Sequence, residues 1–553
     1  MNRPCFLNHR ERLLGRRFLL AAVLIGGICT LGIELSSSRL LAPYFGTSQL
    51  IWANVIGLTL IYLTAGYTLG GRLADRRPDE RVLATIMLLA GLFTAIIPLA
   101  SRPILTWSTT AFTTLSAGVF FGSLFGVLVL FSVPVILLGM VSPFAIRLSV
   151  HDLKTAGKTA GGLSALSTLG SIIGTFLPVL LLIPWLGTNL TFYFFALALV
   201  ITGAFGMRRR LALLAVPAVV ALALLQLGIK GIRQPFDPRF TSIMEEESFY
   251  NYIQVAEAPL GPGGSEQIGL ILNEGQAIHS IYNTRYGETH QTADLLTGGP
   301  WDFFNIAPYV YPTRSKADVQ SMLLIGSAGG TIPKQFLAFY GADRRVDGVE
   351  IDPAIVNVGR KYFAMQDGTA AAPNYHIHEA DGRVYLNQSH DHYDIIGMDA
   401  YHQPYIPFHL TTKEFFSEVS DHLSPQGVAV VNAGKPGTDY RLVHTLADTM
   451  KSVFPQVFIL DVPSFGNSIV IGVKQPVGDG VVNFHTNSLA MPDAVLQGVM
   501  REAEAGDDRT GKLPLREWTD SDVANARPFT DDWAPVERVI DQIIVRAATS
   551  MEQ

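Results

Sequence analysis

The stretch 321–352, SMLLIGSAGGTIPKQFLAFYGADRRVDGVEID, decides the fold of the C-terminal half of this chain. A short apolar run enters a turn with three glycines, Gly326, Gly329 and Gly330, and a helix-like segment follows. A second apolar run then ends on Glu350. Strand, glycine turn, helix and strand in this order predict a nucleotide-binding βαβ unit, with an acid placed to hydrogen-bond a ribose.

The composition indicates a chain of two unlike parts. With 553 residues it is too long for one ordinary domain, and 16% charged residues with a mean hydropathy of +0.29 are too apolar for a wholly soluble enzyme. The net charge of -6 gives no indication of a nucleic-acid partner. The two cysteines, Cys5 and Cys29, cannot crosslink the polar half, and no metal-ligand spacing occurs. We therefore expect neither a disulfide nor a metal site.

Residues 1–230 have the pattern of a multi-pass transmembrane domain. A span needs roughly 20 mostly apolar residues. Seven stretches qualify, at 18–36, 50–71, 82–101, 118–141, 164–184, 188–206 and 211–229. Because several spans follow the first, we interpret it as an uncleaved helix and not as a signal peptide. The sequence thus predicts a bundle of about seven helices.

The basic residues of this part predict its orientation. Arginine and lysine cluster in the N-terminal tail and at 72–81, 147–158 and 208–210, which favours a cytoplasmic N-terminus. Seven spans from that start would place the following domain outside. An eighth span within 103–141, or an interfacial position for 211–229, would reverse the side, and the sequence leaves both open.

Small residues at four-residue spacing recur in the spans. The pairs are Gly66 with Gly70 and Gly170 with Gly174. Such pairs allow helix backbones to pack closely in lipid, although glycine is also simply common in spans.

The polar half begins after a boundary near 231–240. Residues 240–318 predict a small β-subdomain, because 243–310 contain short alternating runs. Residues 319–480 predict a Rossmann-like domain with a parallel sheet, and 481–553 a helical tail. The predicted strands are 321–326, 345–351, 375–379, 393–398, 426–432, 456–461 and 468–474. The predicted helices include 331–340, 353–363, 412–423 and 439–452.

Functional residues are expected where the parallel strands end. The Gly326 turn, Glu350, Asp381 and Asp399 all fall at such positions. An acid there can simply cap the next helix, but three acids on consecutive strands favour a nucleoside site. Phosphate binding is disfavoured because no P-loop lysine follows the glycines.

Several motifs make the chain resemble the spermidine synthase family of polyamine aminopropyltransferases, in the form fused to multiple membrane spans. The soluble motifs are YNYIQV (250–255), LNEGQ (272–276), IGSAGG (325–330), VEID (349–352), ADGRVYL (380–386), YDIIGMDAY (393–401) and TTKEFF (411–416). The others are GMVSPFAIRL (139–148), STLGSIIGTFLP (167–178) and TDDWAPVE (530–537). The resemblance implies an α-helical transmembrane bundle followed by an α/β class I methyltransferase-like domain.

The resemblance also implies an activity, the transfer of an aminopropyl group from decarboxylated S-adenosylmethionine to a diamine such as putrescine. Asp399 would be the base, Glu350 would hold the ribose, Asp381 the adenine and Gln276 the sulfonium end. The full set implied for the co-substrate is Gln276, Gly326, Gly329, Gly330, Glu350, Asp381 and Gly382. The set implied for the amine is Asn251, Tyr401 and His402. Since an exposed aspartate has a pKa of about 3.9, Asp399 needs local tuning to act as a base.

The chain departs from the family pattern in the amine half. The family usually has acids at the positions of Ala328 and His402, a tyrosine at Phe465 and a glutamine at Asn251. Ala328 opens the alternative of an N-methyltransferase that uses ordinary S-adenosylmethionine. A non-catalytic membrane sensor or scaffold is a further alternative. The expected location is the inner membrane, multi-pass, with the lipid bilayer and a diamine as partners and a homodimer through the soluble domain.

Overall fold

The structure is a computed structural model that describes the chain from His9 to Gln542 with short gaps. The gaps are residues 46–48, 112–117, 151, 208–209, 228–234, 236, 261–263, 274–276, 402–405, 436–438, 463–464, 507–511, 520–526 and 541. The chain divides into a helical unit, Met1–Arg233 with Glu246–Phe249, and an α/β unit, Gln234–Glu245 with Tyr250–Gln553.

The helical unit consists of long apolar helices. They are α1 (His9–Phe45), α2 (Gln49–Arg76), α3 (Glu80–Ala111), α4 (Gly118–Gly139), α5 (Val141–Ser149), α6 (Ala156–Leu177), α7 (Ile183–Met207) and α8 (Ala215–Leu227). Within the described residues, five helical stretches are long and apolar enough to cross a membrane, and the last of them, Leu153–Met207, has 55 residues. A straight helix of that length would extend about 80 Å, far beyond the roughly 30 Å of a bilayer core. The stretch is interrupted at Gly187, whose φ of 79° is not helical.

Glycines bring the helices of this unit into backbone contact. A β-carbon on Gly66, Gly70, Gly170 or Gly174 would lie within 2.6 Å of a backbone atom of a neighbouring segment. Gly170 and Gly174 face Leu24 and Ile28 of α1, while the other pair faces the end of α4. The packing role predicted for the four glycines is confirmed.

A four-stranded sheet precedes the large sheet in the chain. Its strands lie in chain order, and they are β1 (Thr241–Glu247), β2 (Tyr252–Pro259), β3 (Glu266–Leu272) and β4 (Ile278–Asn283). The short helix α9 (Arg285–Thr289) follows. The strand pattern expected as far as residue 310 ends at Asn283, because Pro300–Val310 forms 3₁₀ turns in which every residue is buried. Those residues belong to the hydrophobic core of the large sheet, so the β-subdomain stops short of the predicted boundary at 318.

The large sheet has eight strands in the order β12-β10-β11-β9-β8-β5-β6-β7. The strands are β5 (Ser321–Ile325), β6 (Arg345–Glu350), β7 (Tyr375–Glu379), β8 (Tyr393–Met398), β9 (Leu423–Gly434), β10 (Gln456–Asp461), β11 (Asn467–Val473) and β12 (Arg516–Trp518). The helices are α10 (Thr331–Tyr340), α11 (Pro353–Tyr362), α12 (Gly382–Gln388), α13 (Lys413–Asp421), α14 (Arg441–Lys451), α15 (Gly480–Ala490) and α16 (Ala494–Glu504). Strands β5 to β9 pair in parallel, whereas β9, β11, β10 and β12 pair antiparallel.

Both faces of the parallel strands are covered, which explains their continuous apolar runs. Successive side chains of a strand point to opposite faces. Met322 and Leu324 enter one core with the Pro300–Val310 segment, while Leu323 and Ile325 enter the other.

The tail differs from its prediction as a helical segment. It supplies α15 and α16, but it also supplies β12, which pairs with β10 at the edge of the sheet. A strand of three residues is too short to show a period in the sequence.

The strand order changes direction between β5 and β8, because β6 and β7 continue on one side and β9 on the other. Ligands of doubly wound sheets bind at such a switch point, beyond the carboxyl ends of the strands. The turn at Gly326 follows β5, and Asp399 follows β8.

Candidate active site

Gly326 allows the ends of β5 and β8 to meet. Its φ is +85°, and a β-carbon there would lie 2.6 Å from the carbonyl oxygen of Asp399. The amide of Asp399 donates to the carbonyl of Ile325 at 2.9 Å, which fixes the start of the Asp399 loop. Since a side chain at this φ would be strained and would also clash, the close approach requires glycine.

The other glycines predicted to bind the co-substrate, Gly329, Gly330 and Gly382, each have a structural role. The amide of Gly329 donates to Ser280 Oγ at 2.8 Å, and Gly330, with a φ of +80°, precedes α10 as its N-cap. A β-carbon on Gly382 would lie 2.2 Å from Ile325 Cγ2. Packing therefore accounts for Gly382, and contact of these glycines with a ligand stays a prediction.

Glu350 ends β6 beside the glycine turn and is buried. Its carboxylate accepts hydrogen bonds from the amides of Ala328 at 2.9 Å and Asp352 at 3.2 Å. Burial raises the pKa of Glu350 to about 7, although these amides oppose the shift. With a further backbone hydrogen bond from Ile351, three of about four lone pairs are used, which leaves room for one more donor such as a ribose hydroxyl.

Asp381 caps α12, which is the alternative role that the sequence left open for an acid at a strand end. One of its oxygens accepts from the amides of Arg383 at 3.0 Å and Val384 at 3.1 Å. The other lies 3.0 Å from Nε2 of His409. Both oxygens thus have protein partners, and an adenine amino group would share the Oδ2 side with His409.

Asp399 is partly buried and held by two side chains. Asn432 of β9 donates its Nδ2 to Oδ1 of Asp399 at 2.8 Å, and the indole of Trp301 donates to the same carboxylate. Burial raises the pKa of Asp399 to about 7, against these two hydrogen bonds that lower it. A pKa raised in this way is what the base role predicted for Asp399 requires, and the role itself stays a prediction.

Tyr401 reaches the site through Asn432. Its hydroxyl donates to the carbonyl oxygen of Asn432 at 2.8 Å, and Asn467 Nδ2 donates to Asn432 Oδ1 at 2.9 Å. Asn432 therefore connects Asp399, Tyr401 and Asn467. Asn432 ends the predicted strand 426–432, and the strand predicted before it in the chain ends just ahead of Asp399. This position at a strand end was the sequence signal that could have identified Asn432 as a site residue.

Asn251, predicted to contact the amine, lies in another buried network. Its Nδ2 donates to Asp352 Oδ2 at 2.8 Å, and Asn273 Nδ2 donates to its Oδ1 at 2.8 Å. Asp352 follows Glu350 by two residues, so Asn251 belongs to the Glu350 side of the site. Gln276 and His402 lie outside the described residues. Within the described part of the chain, no group of acids, histidines or cysteines has the arrangement of a metal site.

Fold and site together define a Rossmann-like domain of the class I methyltransferase type, with acids at the carboxyl ends of its parallel strands. Residues 311–476 match the family description "Spermine/spermidine synthase domain". The chain is 31% identical over 213 residues to the polyamine aminopropyltransferase of Vibrio vulnificus, a match that covers 37% of this chain and 68% of the relative. The chain belongs to the polyamine aminopropyltransferase family.

Two further relatives describe the extent of the likeness. The chain is 32% identical over 327 residues to a probable polyamine aminopropyl transferase of Bifidobacterium longum, covering 56% of this chain and 65% of the relative, slightly less than two thirds of its length. A probable spermidine synthase structure from Corynebacterium glutamicum aligns with a TM-score of 0.39 and 19% identity, over 52% of this chain and 96% of that one. The named relatives do not favour the methyltransferase alternative suggested by Ala328.

Proposed function

We propose that this protein transfers the aminopropyl group of decarboxylated S-adenosylmethionine to a primary amine, with a diamine such as putrescine as the first acceptor to test. The observation that carries the proposal is the position of Asp399, at the switch point against Gly326 and with a pKa raised to about 7. The names of the relatives support the same activity.

The reaction is a displacement at carbon. The amine nitrogen attacks the aminopropyl carbon attached to sulfur, the new C–N bond forms, and the C–S bond breaks with its electron pair on sulfur. Because a protonated amine is inert, the acceptor ammonium must first give one proton to Asp399, and a carboxylate with a pKa near 7 is a suitable acceptor for that proton. The products are the neutral thioether methylthioadenosine, an alkylated ammonium and protonated Asp399.

The acids at the neighbouring strand ends would hold the nucleoside. Glu350 would accept hydrogen bonds from the ribose hydroxyls, and Asp381 would accept a hydrogen bond from the adenine amino group. Gln276 would lie near the sulfonium. A cationic sulfonium would favour the charged form of Asp399, and positioning of the two reactants would supply much of the rate.

The test is release of methylthioadenosine by detergent-purified protein given the decarboxylated compound and putrescine. Asp399→Asn should lower kcat by at least 100-fold and leave binding of the decarboxylated compound, measured by calorimetry, within about threefold. Full activity in this variant would exclude Asp399 as the base. Tighter binding of ordinary S-adenosylmethionine would favour methyl transfer, and binding of neither would favour the non-catalytic sensor.

We also propose an inner-membrane location with six crossings. Helices α1, α2, α3 and α4 would supply four, and the 55-residue stretch interrupted at Gly187 would supply two. With 13 residues, α8 spans only about 20 Å and would lie in the interface. Six crossings from a cytoplasmic start would place all the basic clusters and the α/β unit in the cytoplasm.

We further propose that the protein forms a homodimer through the α/β unit.

A further inference from the structure

Aromatic rings border the side of the site where Asp399 lies. Trp301, which donates to Asp399, is 4% exposed. The ring of Phe465 stands edge-on to the Trp301 ring, with centroids 6.1 Å apart and an interplanar angle of 76°. Phe465 itself is 36% exposed, so it presents an apolar surface next to a buried group that touches the carboxylate.

Gly299 makes room for this aromatic pair. A β-carbon there would lie 2.7 Å from the Trp301 ring and 3.3 Å from the Phe465 ring. The pair thus depends on Gly299 and Trp301, at the start of the Pro300–Val310 turns, and on Phe465, which precedes β11.

Three described polar side chains near Asp399, those of Asn432, Tyr401 and Asn467, are already engaged in hydrogen bonds. Asn432 gives its amide to Asp399 and takes the amide of Asn467 on its oxygen. Tyr401 gives its hydroxyl to the Asn432 carbonyl. Among the residues that the structure describes, an incoming amine therefore meets one carboxylate for its reacting nitrogen, and Trp301 and Phe465 give the adjoining surface an aromatic character.

From this arrangement we propose that the acceptor is recognised by one amino group and by an apolar chain or ring beyond it. The substrate class is a primary amine with a hydrophobic substituent, and a second ammonium on the acceptor adds little. The apolar part of the acceptor would pack on Phe465. This contact would take the place of the charged contact that the second, non-reacting amino group of a short diamine needs. This inference rests on the proposed aminopropyl transfer and specifies its acceptor.

The test compares acceptors that differ in charge or apolar length. The kcat/KM for methylthioadenosine release is measured with putrescine, n-butylamine, n-hexylamine and 2-phenylethylamine. We expect butylamine to react within about threefold of putrescine, and hexylamine and phenylethylamine to be about tenfold better than butylamine, as extra buried apolar area predicts. A preference of more than about tenfold for putrescine over butylamine would overturn the inference, since charge-assisted contacts have that magnitude.

A variant assigns the effect to the aromatic surface. Phe465→Ala should lower kcat/KM for hexylamine and phenylethylamine by about tenfold and for butylamine by less than about threefold. Leu489→Ala, at an exposed leucine of α15, is the matched control and should change none of them. Equal losses for all amines in Phe465→Ala would contradict the inference. Activity with putrescine alone would overturn it and leave the proposed function standing, whereas activity with no amine would overturn both.

Discussion

At the scale of single residues, the site depends on how strongly one carboxyl holds its proton. Burial raises the pKa of Asp399 to about 7, while Asn432 and Trp301 limit the rise by donating to the charged form. A carboxylate with an ordinary pKa of about 3.9 would be a much weaker base toward an ammonium. Asp399 is thus basic enough to accept a proton and still largely ionised slightly above neutral pH.

Asn432→Ala tests this balance. The variant removes a donor that favours the ionised form, so the pKa of Asp399 should rise further above its ordinary value. Because the proposed base acts only when ionised, activity should rise with pH through this pKa, and the midpoint of the kcat/KM profile should move up by about one pH unit. The profile is measured between about pH 5.5 and 9 with one acceptor.

Asn467→Ala serves as the control for that variant. Asn467 contacts Asn432 and not the carboxylate, so its loss should shift the midpoint by less than half as much. An unchanged or lower midpoint in Asn432→Ala would show that the Asn432 amide does not set the basicity of the site.

At the scale of elements, the sequence predicted the parallel strands closely. The strand predicted at 393–398 is Tyr393–Met398, and the acids at the strand ends lie where the pattern placed them. The hydrophobic pattern failed to predict two segments. Every residue of Pro300–Val310 is buried, so no alternation of polar and apolar residues occurs there, and β12, with three residues, is too short to show one. Trp301 was missed for this reason, since the segment that delivers it to Asp399 has no strand or helix period.

Gly326→Ala tests the turn that brings β5 and β8 together. Alanine at a φ of +85°, with a β-carbon 2.6 Å from the Asp399 carbonyl, must displace the Asp399 loop. We expect a loss of at least about 2 kcal/mol of stability and of 100-fold or more in kcat/KM. Thermal unfolding in detergent and methylthioadenosine release measure the two effects.

Gly498→Ala is the matched substitution in the same unit. Gly498 lies in α16 with open space around its α-carbon, so alanine should leave activity unchanged and stabilise the helix slightly. If Gly326→Ala behaves like Gly498→Ala, the close approach at the switch point is not required for the reaction.

At the scale of the whole molecule, the basic clusters and the helix lengths constrain the topology together. The sequence alone suggested seven spans, which would leave the α/β unit outside. The interruption at Gly187 and the short α8 support six crossings instead. In that arrangement the clusters at 72–81, 147–158 and 208–210 all lie on the side of the N-terminus, as the distribution of positive charge favours.

Cysteine labelling with a membrane-impermeant maleimide decides between these topologies. In a Cys5→Ser background, where Cys29 is buried, single cysteines are placed at Gly498, Leu153 and Trp185. Leu153 is 92% exposed before α6, and Trp185 is 79% exposed close to the Gly187 interruption, so both are accessible to a label. With six crossings the two positions would lie on opposite sides of the membrane. Six crossings predict labelling of Trp185→Cys in intact cells, and of Leu153→Cys and Gly498→Cys only after lysis. Labelling of Gly498→Cys in intact cells would place the α/β unit outside, away from a co-substrate made in the cytoplasm, and would contradict the proposed synthesis.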